Sequence, residues 1–184
     1  MNEPDFSGLR LVGGTGLALQ LGHRHSIDID LFGSVEFENL NTNRIFEKHK
    51  SVNLIKKSKN INIDAINGIK VDFVNYTYPW LNDEIIEDGM RIEAVSDIAA
   101  MKLSAIAGRG SKKDFVDLYW LLKHYSLKRL LEFYENKYTD GSTFLVIKSL
   151  TYFEDAESDE MPVLTKPVSW EEIKQTVRNA VVSL

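Results

Sequence analysis

The sequence predicts a mixed α/β (α+β) protein: a mixed β-sheet core flanked by helices, followed by a helical C-terminal part. Three observations predict it. Residues 9–22 read as a strand, a glycine turn and a helix; residues 26–32 alternate apolar and acidic; and Asn67-Gly68 separates two strand-like runs. From Ser96 onward the signals are helical, giving an α/β core over 1–95 and a helical part over 96–184 that completes the same compact unit. A chain of 184 residues suits such a unit and is too short for two large domains.

Composition narrows the function. The chain is 43% hydrophobic and 27% charged, with no apolar run near the roughly 18 residues that span a bilayer, so no membrane role is expected. Met1-Asn2-Glu3-Pro4-Asp5 lacks the regions of a signal peptide, and the absence of Cys removes disulfides and thiolate metal sites; a cytoplasmic location is expected. A net charge of −5 argues against a generally basic nucleic-acid-binding surface while leaving room for a local basic patch.

Taking the elements in order, Leu9 to Val12 reads as a strand broken by Gly13-Gly14. Thr15 can then cap a helix ending near Gly22. In the strand predicted from Ser26 to Phe32, Ile27, Ile29 and Leu31 face one way and Asp28 and Asp30 the other. Glu38 to Lys50 reads as helical. Asn60–Ala65 and Ile69–Asn75 flank the Asn-Gly turn, and a two-residue loop there pairs Ile66 with Ile69 and Asp72 with Ile63. A carboxylate among apolar neighbours is an odd structural choice. Ser96 can cap a helix from Asp97 to Ala107, a second helix runs from about Lys112 to Tyr125, and Ser126 can cap a third. Phe144 to Tyr152 reads as a fourth, Glu154 to Glu160 as a solvated acidic loop. Ser169 and Glu172 have capping-box spacing for a last helix.

The carboxylates carry the chemistry. Phosphoryl and nucleotidyl transfer concentrate negative charge, which divalent ions neutralise while aligning the attacking and leaving oxygens. Magnesium takes hard oxygen ligands and keeps several waters, so Asp28, Asp30 and Asp72 with substrate phosphates suffice to hold Mg²⁺ or Mn²⁺. Asp-x-Asp alone is weak and also fits an exposed polar strand face. Gly13, Gly14 and Thr15 lie just upstream at a helix start, where free N–H groups and a hydroxyl can hold a triphosphate; the plainer reading is a tight turn.

The run Gly13-Gly-Thr-Gly-Leu-Ala-Leu-Gln-Leu-Gly-His-Arg-His-Ser-Ile-Asp-Ile-Asp-Leu-Phe32 resembles the first motif of the AbiEii/AbiGii nucleotidyltransferase toxins. Asp97-Ile-Ala-Ala-Met-Lys-Leu-Ser-Ala-Ile106 and Arg109-Gly-Ser-Lys-Lys-Asp-Phe-Val-Asp-Leu-Tyr119 resemble that family's later lysine and Lys-Asp-x-x-Asp motifs. The resemblance implies a nucleotidyltransferase-like fold and transfer of a nucleoside monophosphate from a nucleoside triphosphate to an acceptor. It further implies an RNA acceptor (the tRNA 3′ end) and the toxin role of a bacterial toxin–antitoxin or phage-defence pair with a cognate antitoxin protein. Twelve residues precede Gly13, where the resemblance leads one to expect more helical sequence.

Other candidates are weighed against plainer roles. Lys102, the only charged residue between Asp97 and Arg109, reads as reaching phosphates or orienting a carboxylate, or as snorkelling from a core helix; the resemblance favours the first. Asp114 and Asp117 share a helical face near a positive N-terminus, which suits catalysis or capping. Arg109 and Lys113 are placed to meet phosphate, Arg24 to pair with phosphate or a carboxylate, and Ser26 to support the site by hydrogen bonding. His23-Arg-His25 invites a zinc reading, but His49 and His124 have no supporting ligand spacing and there is no Cys, and Phe115, Tyr119, Trp120 and Tyr125 fall at core spacing. The rival functions are a nucleotidyltransferase acting on protein or a small molecule, and an inactive nucleotide-binding module acting through a partner.

Overall fold

The computed structural model describes residues 1, 4–35, 37 and 51–184, so the helix expected over Glu38–Lys50 lies outside the described residues. The chain divides into two compact units: Met1–Gly16, Ser26–Tyr78 and Asp83–Ala94 form the first, and Leu17–His25, Pro79–Asn82 and Val95–Leu184 the second.

The first unit is a seven-stranded mixed sheet. Its strands are β1 (Leu9–Leu11), β2 (Ile29–Gly33), β3 (Val52–Lys57), β4 (Ile61–Ile66), β5 (Ile69–Asn75), β6 (Ile85–Glu87) and β7 (Met90–Ile92), in the spatial order β3-β4-β5-β2-β1-β7-β6. β2 runs parallel to β5 and antiparallel to β1, and β1 runs parallel to β7. Alternation sets the faces: Leu9, Leu11, Leu31, Val71, Phe73 and Ile92 join one buried cluster with Phe6, Val35 and Phe37. Ile29 packs against the same cluster, so Asp30, lying between Ile29 and Leu31, points the other way.

The hairpin prediction holds to the residue: Ile66 pairs with Ile69 and Ile63 with Asp72. Asn67 and Gly68 take φ of 51° and 83°, the left-handed pair that a two-residue hairpin turn demands. Asp88-Gly89 repeats the device between β6 and β7, with φ of 49° and 75°. Strands β3, β6 and β7 go beyond the sequence reading, although Asp88-Gly89 was the turn signal that marks the last two.

The second unit is helical. Helix α1 (Gly13–Leu21) begins in the first unit and its residues from Leu17 belong to the second, with α2 (Val95–Gly108), α3 (Lys112–Leu121), α4 (Leu127–Lys137), α5 (Thr143–Leu150), α6 (Glu154–Glu157) and α7 (Trp170–Val182). α2 packs against α3, α4 and α5, which explains why Ile98, Ala99, Leu103 and Ile106 are all buried. Ser126 and Ser169 cap α4 and α7 by accepting from the N–H groups of Arg129 and Glu172. Phe115 and Tyr119 are buried, as core spacing requires, and Phe115 rests against Phe153 and Trp170. The stretch read as an acidic loop instead opens with α6, because Ala156 is buried and Glu157 ties to Trp170 and Lys174. Among the described residues no helix is long and apolar enough to cross a membrane.

A β-carbon on Gly68 meets nothing within 4 Å, so Gly68→Ala tests backbone strain alone. Denaturant titration is expected to show a loss of about 1 kcal/mol with an unchanged slope.

Candidate active site

Two in-register strands build the carboxylate site. Asp30 on β2 and Asp72 on the parallel β5 are direct cross-strand partners, so their Cα atoms stand about 4.8 Å apart and their side chains share a face. Asp28 lies one residue before β2 rather than inside it, which corrects the strand predicted from Ser26. Its carbonyl is engaged instead: the Thr15 hydroxyl donates to it and is hydrogen-bonded to the Ser26 hydroxyl at 2.9 Å. Thr15 therefore does not cap α1, which already starts at Gly13. It fastens the first turn of the helix to the segment leading into β2, where Ser26 shares the hydrogen bond.

Gly13 explains itself at this point. Its φ is +66°, and a β-carbon there would lie 1.9 Å from Oδ2 of Asp30. The first turn of α1, whose N–H groups lack intrahelical acceptors, is thereby pressed against the carboxylate. Gly16 N–H bonds to Val12 O, and Val12 N–H to Asp30 O, so main-chain bonds lock the turn to β2.

The residues fit a hard divalent cation. Oδ1 of Asp72 is buried with no hydrogen-bond partner, while Lys70 Nζ donates to its Oδ2 at 2.6 Å. An orphaned carboxylate oxygen beside a second carboxylate is a costly arrangement that a cation relieves. Among the described residues no group of three His, Cys, Asp or Glu side chains is placed to hold a metal ion, so Asp28, Asp30 and Asp72 do not stand as a preassembled three-ligand set.

In the second unit, Lys102, Asp114 and Asp117 form one buried ionic network. Lys102 Nζ lies 3.0 Å from Asp114 and 2.6 Å from Asp117, and both carboxylates are fully buried. Arg24 grips Asp117 with Nε and Nη2 at 2.6 and 3.0 Å, and His23 Nε2 adds a contact at 2.8 Å. Asp114 accepts from Arg109 Nε at 3.0 Å and from Ser111 Oγ at 2.6 Å. Burial by itself would raise both carboxyls; Lys102 and the hydrogen bonds from Arg109 and Ser111 bring Asp114 down to about 2. Lys102, with His23 and Arg24, holds Asp117 still lower. Lys102 in turn is raised, since Asp117 and Asp114 outweigh its own desolvation.

Lys102 is buried against Asp114 and Asp117 instead of snorkelling to solvent, and Arg24 pairs with the Asp117 carboxylate. Arg109 keeps a side chain 62% exposed and Lys113 is exposed on the first turn of α3, so both present charge to solvent. His23 and Ser111 were missed as partners; the neighbourhood of Arg24 and the Lys-Asp motif was the available signal. A second buried pair also escaped: Lys137 Nζ lies 2.6 Å from Asp97, which accepts from the N–H groups of Leu81 and Asn82.

The chain belongs to the family described as Nucleotidyl transferase AbiEii toxin of type IV toxin–antitoxin systems, whose model matches residues 1–85 and 48–182. It is 41% identical over 177 residues to Uncharacterized protein aq_aa25 of Aquifex aeolicus (strain VF5), spanning 93% of this chain and 85% of that one. Its fold is similar to JHP933 from Helicobacter pylori, at a TM-score of 0.63 and 19% identity over 96% of this chain and 83% of that one. It is also similar to the nucleotidyltransferase toxin MenT4 from Mycobacterium tuberculosis H37Rv, at 0.60 and 18% over 96% and 76%. The protein is a nucleotidyltransferase of this toxin family.

Two substitutions separate the parts. Gly13→Ala is expected to keep the fold and lower nucleotidyl transfer at least about a hundredfold in steady-state assays, because it displaces the Asp30 carboxylate. Lys102→Met leaves two buried carboxylates short of a cation, and thermal or denaturant unfolding is expected to lose about 3 kcal/mol. Carboxyls lowered by folding stabilise the native state above their unfolded value and lose that contribution as pH falls. The share from Asp114 should therefore fade between about pH 4 and about 2, and the share from Asp117 at still lower pH, read by circular dichroism.

Proposed function

We propose that the protein transfers a nucleoside monophosphate from a nucleoside triphosphate to the 3′-terminal hydroxyl of an RNA, tRNA by preference. In this reading it acts as the toxin of a bacterial toxin–antitoxin, phage-defence pair in the cytoplasm, held in check by a cognate antitoxin protein. The observation that carries the reading is the in-register Asp30–Asp72 pair with the backbone of Gly13 packed against it.

Asp28, Asp30 and Asp72 would hold Mg²⁺ or Mn²⁺, which when bound neutralises the triphosphate and the charge that develops on it. The N–H groups of Gly13, Gly14 and Thr15 orient the phosphates, since a helix N-terminus presents donors and a positive dipole end to an anion. Ser26 braces Thr15 in that position. The acceptor hydroxyl oxygen forms a bond to the α-phosphorus while the bond to the bridging oxygen breaks and pyrophosphate leaves. Asp72 helps take the hydroxyl proton. In the second unit, Lys102 positions Asp114 and Asp117, and Arg24 is held by Asp117. Arg109 and Lys113 supply exposed positive charge for phosphate.

The test is incubation with Mg²⁺, each labelled nucleoside triphosphate, and separate pools of total tRNA, protein and small acceptors, alongside Asp28→Asn and Asp30→Asn. Label on tRNA 3′ ends, reduced at least about a hundredfold in both variants, is the expected result. Label on protein or a small molecule moves the acceptor elsewhere. Absence of both transfer and pyrophosphate release with every acceptor overturns the reading.

A further inference from the structure

The carboxylate face carries its own cation. Lys70 precedes Asp72 by two residues on β5, so both stand on one face of the sheet; the small Ala65 is directly opposite Lys70 and Ile63 opposite Asp72. The room over Ala65 lets the lysine stem lie along the strand, and its Nζ reaches Oδ2 of Asp72 at 2.6 Å. The lysine side chain is 43% exposed and the carboxylate 18%, so a solvent-reached ammonium meets a largely enclosed acceptor. Only one oxygen is satisfied, because Oδ1 of Asp72 stays buried without a partner. Asp30 stands beside it on the neighbouring strand.

An exposed lysine–carboxylate pair on a strand is usually of little consequence for stability. This one touches the carboxylate that the adjoining strand places next to Asp30, and it occupies an oxygen that a divalent ion would otherwise claim. Without a positive charge nearby, the Asp30–Asp72 pair would repel.

We propose that Lys70 is a positioning residue that serves as a built-in counter-ion to Asp72: it holds the carboxylate while the site is empty and competes with the incoming divalent cation. The inference rests on the cation site proposed above and goes beyond it by assigning Lys70 a role toward that ion. The competition keeps affinity for a free ion low and favours an ion arriving with triphosphate, whose own oxygens complete the coordination. Lys70 touches neither reacting atom in this scheme; it acts through Asp72.

The test measures Mn²⁺ binding to the full chain without nucleotide, by the electron paramagnetic resonance signal of free Mn²⁺. Wild type is compared with Lys70→Met, Lys70→Arg, Asp72→Asn and the Lys70→Met/Asp72→Asn double variant. Lys70→Met is expected to bind Mn²⁺ about tenfold tighter, as removal of one partly screened competing charge implies. Lys70→Arg should keep wild-type affinity, and Asp72→Asn should abolish the gain, which isolates the pair. Unchanged or weaker binding by Lys70→Met, or a gain that persists without Asp72, overturns the role. The transfer assay on the same samples keeps the two ideas apart. Equal Mn²⁺ affinities with normal transfer to RNA remove the Lys70 role alone. A gain through Asp72 with no transfer removes the RNA reading and leaves the counter-ion in place. Mn²⁺ binding to neither wild type nor Lys70→Met overturns the counter-ion role together with the cation site under it.

Discussion

Everything in the sheet unit follows from holding Asp30 and Asp72 side by side on parallel strands. Two carboxylates at that spacing repel, and the backbone ladder makes them stay. What fixes the ladder is the other face. Leu31, Val71 and Phe73 are buried in a single cluster, so a slip of one residue in β2 or β5 would turn those side chains out and carry the aspartates into the core. The hydrophobic pattern thus stabilises the fold and aims the carboxylates in one stroke. Gly13 completes the arrangement, since only a residue without a β-carbon allows the helix start so near Asp30.

The helical unit solves a different electrostatic problem. Asp114 and Asp117 are fully buried, which costs several kcal/mol per charge unless partners are close. Lys102, Arg24 and Arg109 provide three cations for two carboxylates, with His23 and Ser111 filling further acceptor positions. Removing one member of such a network costs more than the intact network adds, because the charge left behind stays buried. Arg109 remains largely exposed while it pairs with Asp114. The fully buried pair of Lys137 and Asp97 draws the carbonyl of Pro79 and the ring of Trp80 to the ammonium.

Much of this was legible in the residues, for identifiable reasons. The Asn67-Gly68 turn has few alternatives, and once it was read as a two-residue loop the pairing of Asp72 with Ile63 followed. Serines at Ser126 and Ser169 announced helix starts because their hydroxyls satisfy N–H groups that nothing else can. Thr15 was misread as a cap because a hydroxyl serves several acceptors and sequence does not say which lies nearest. The short strands β6 and β7 were overlooked because three residues hold too little alternation to register a period. The lysine–aspartate network was visible as chemistry, but not as geometry. Charged residues on different helices, such as Lys102 on α2 and Asp117 on α3, reveal their pairing only when the helices are packed. His23 was weighed only for zinc, and its pairing with Asp117 on α3 shows only in the packed structure.

In the function proposed above, the Asp30–Asp72 pair holds a divalent ion on the substrate phosphates. Crystals grown with Mn²⁺ and a non-hydrolysable nucleoside triphosphate, measured at the manganese absorption edge, address it directly. An anomalous peak within coordination distance of carboxylate oxygens of both Asp30 and Asp72 is expected, with triphosphate oxygens on the same ion. A triphosphate bound without manganese at these two residues, or manganese held elsewhere in the chain, would contradict it.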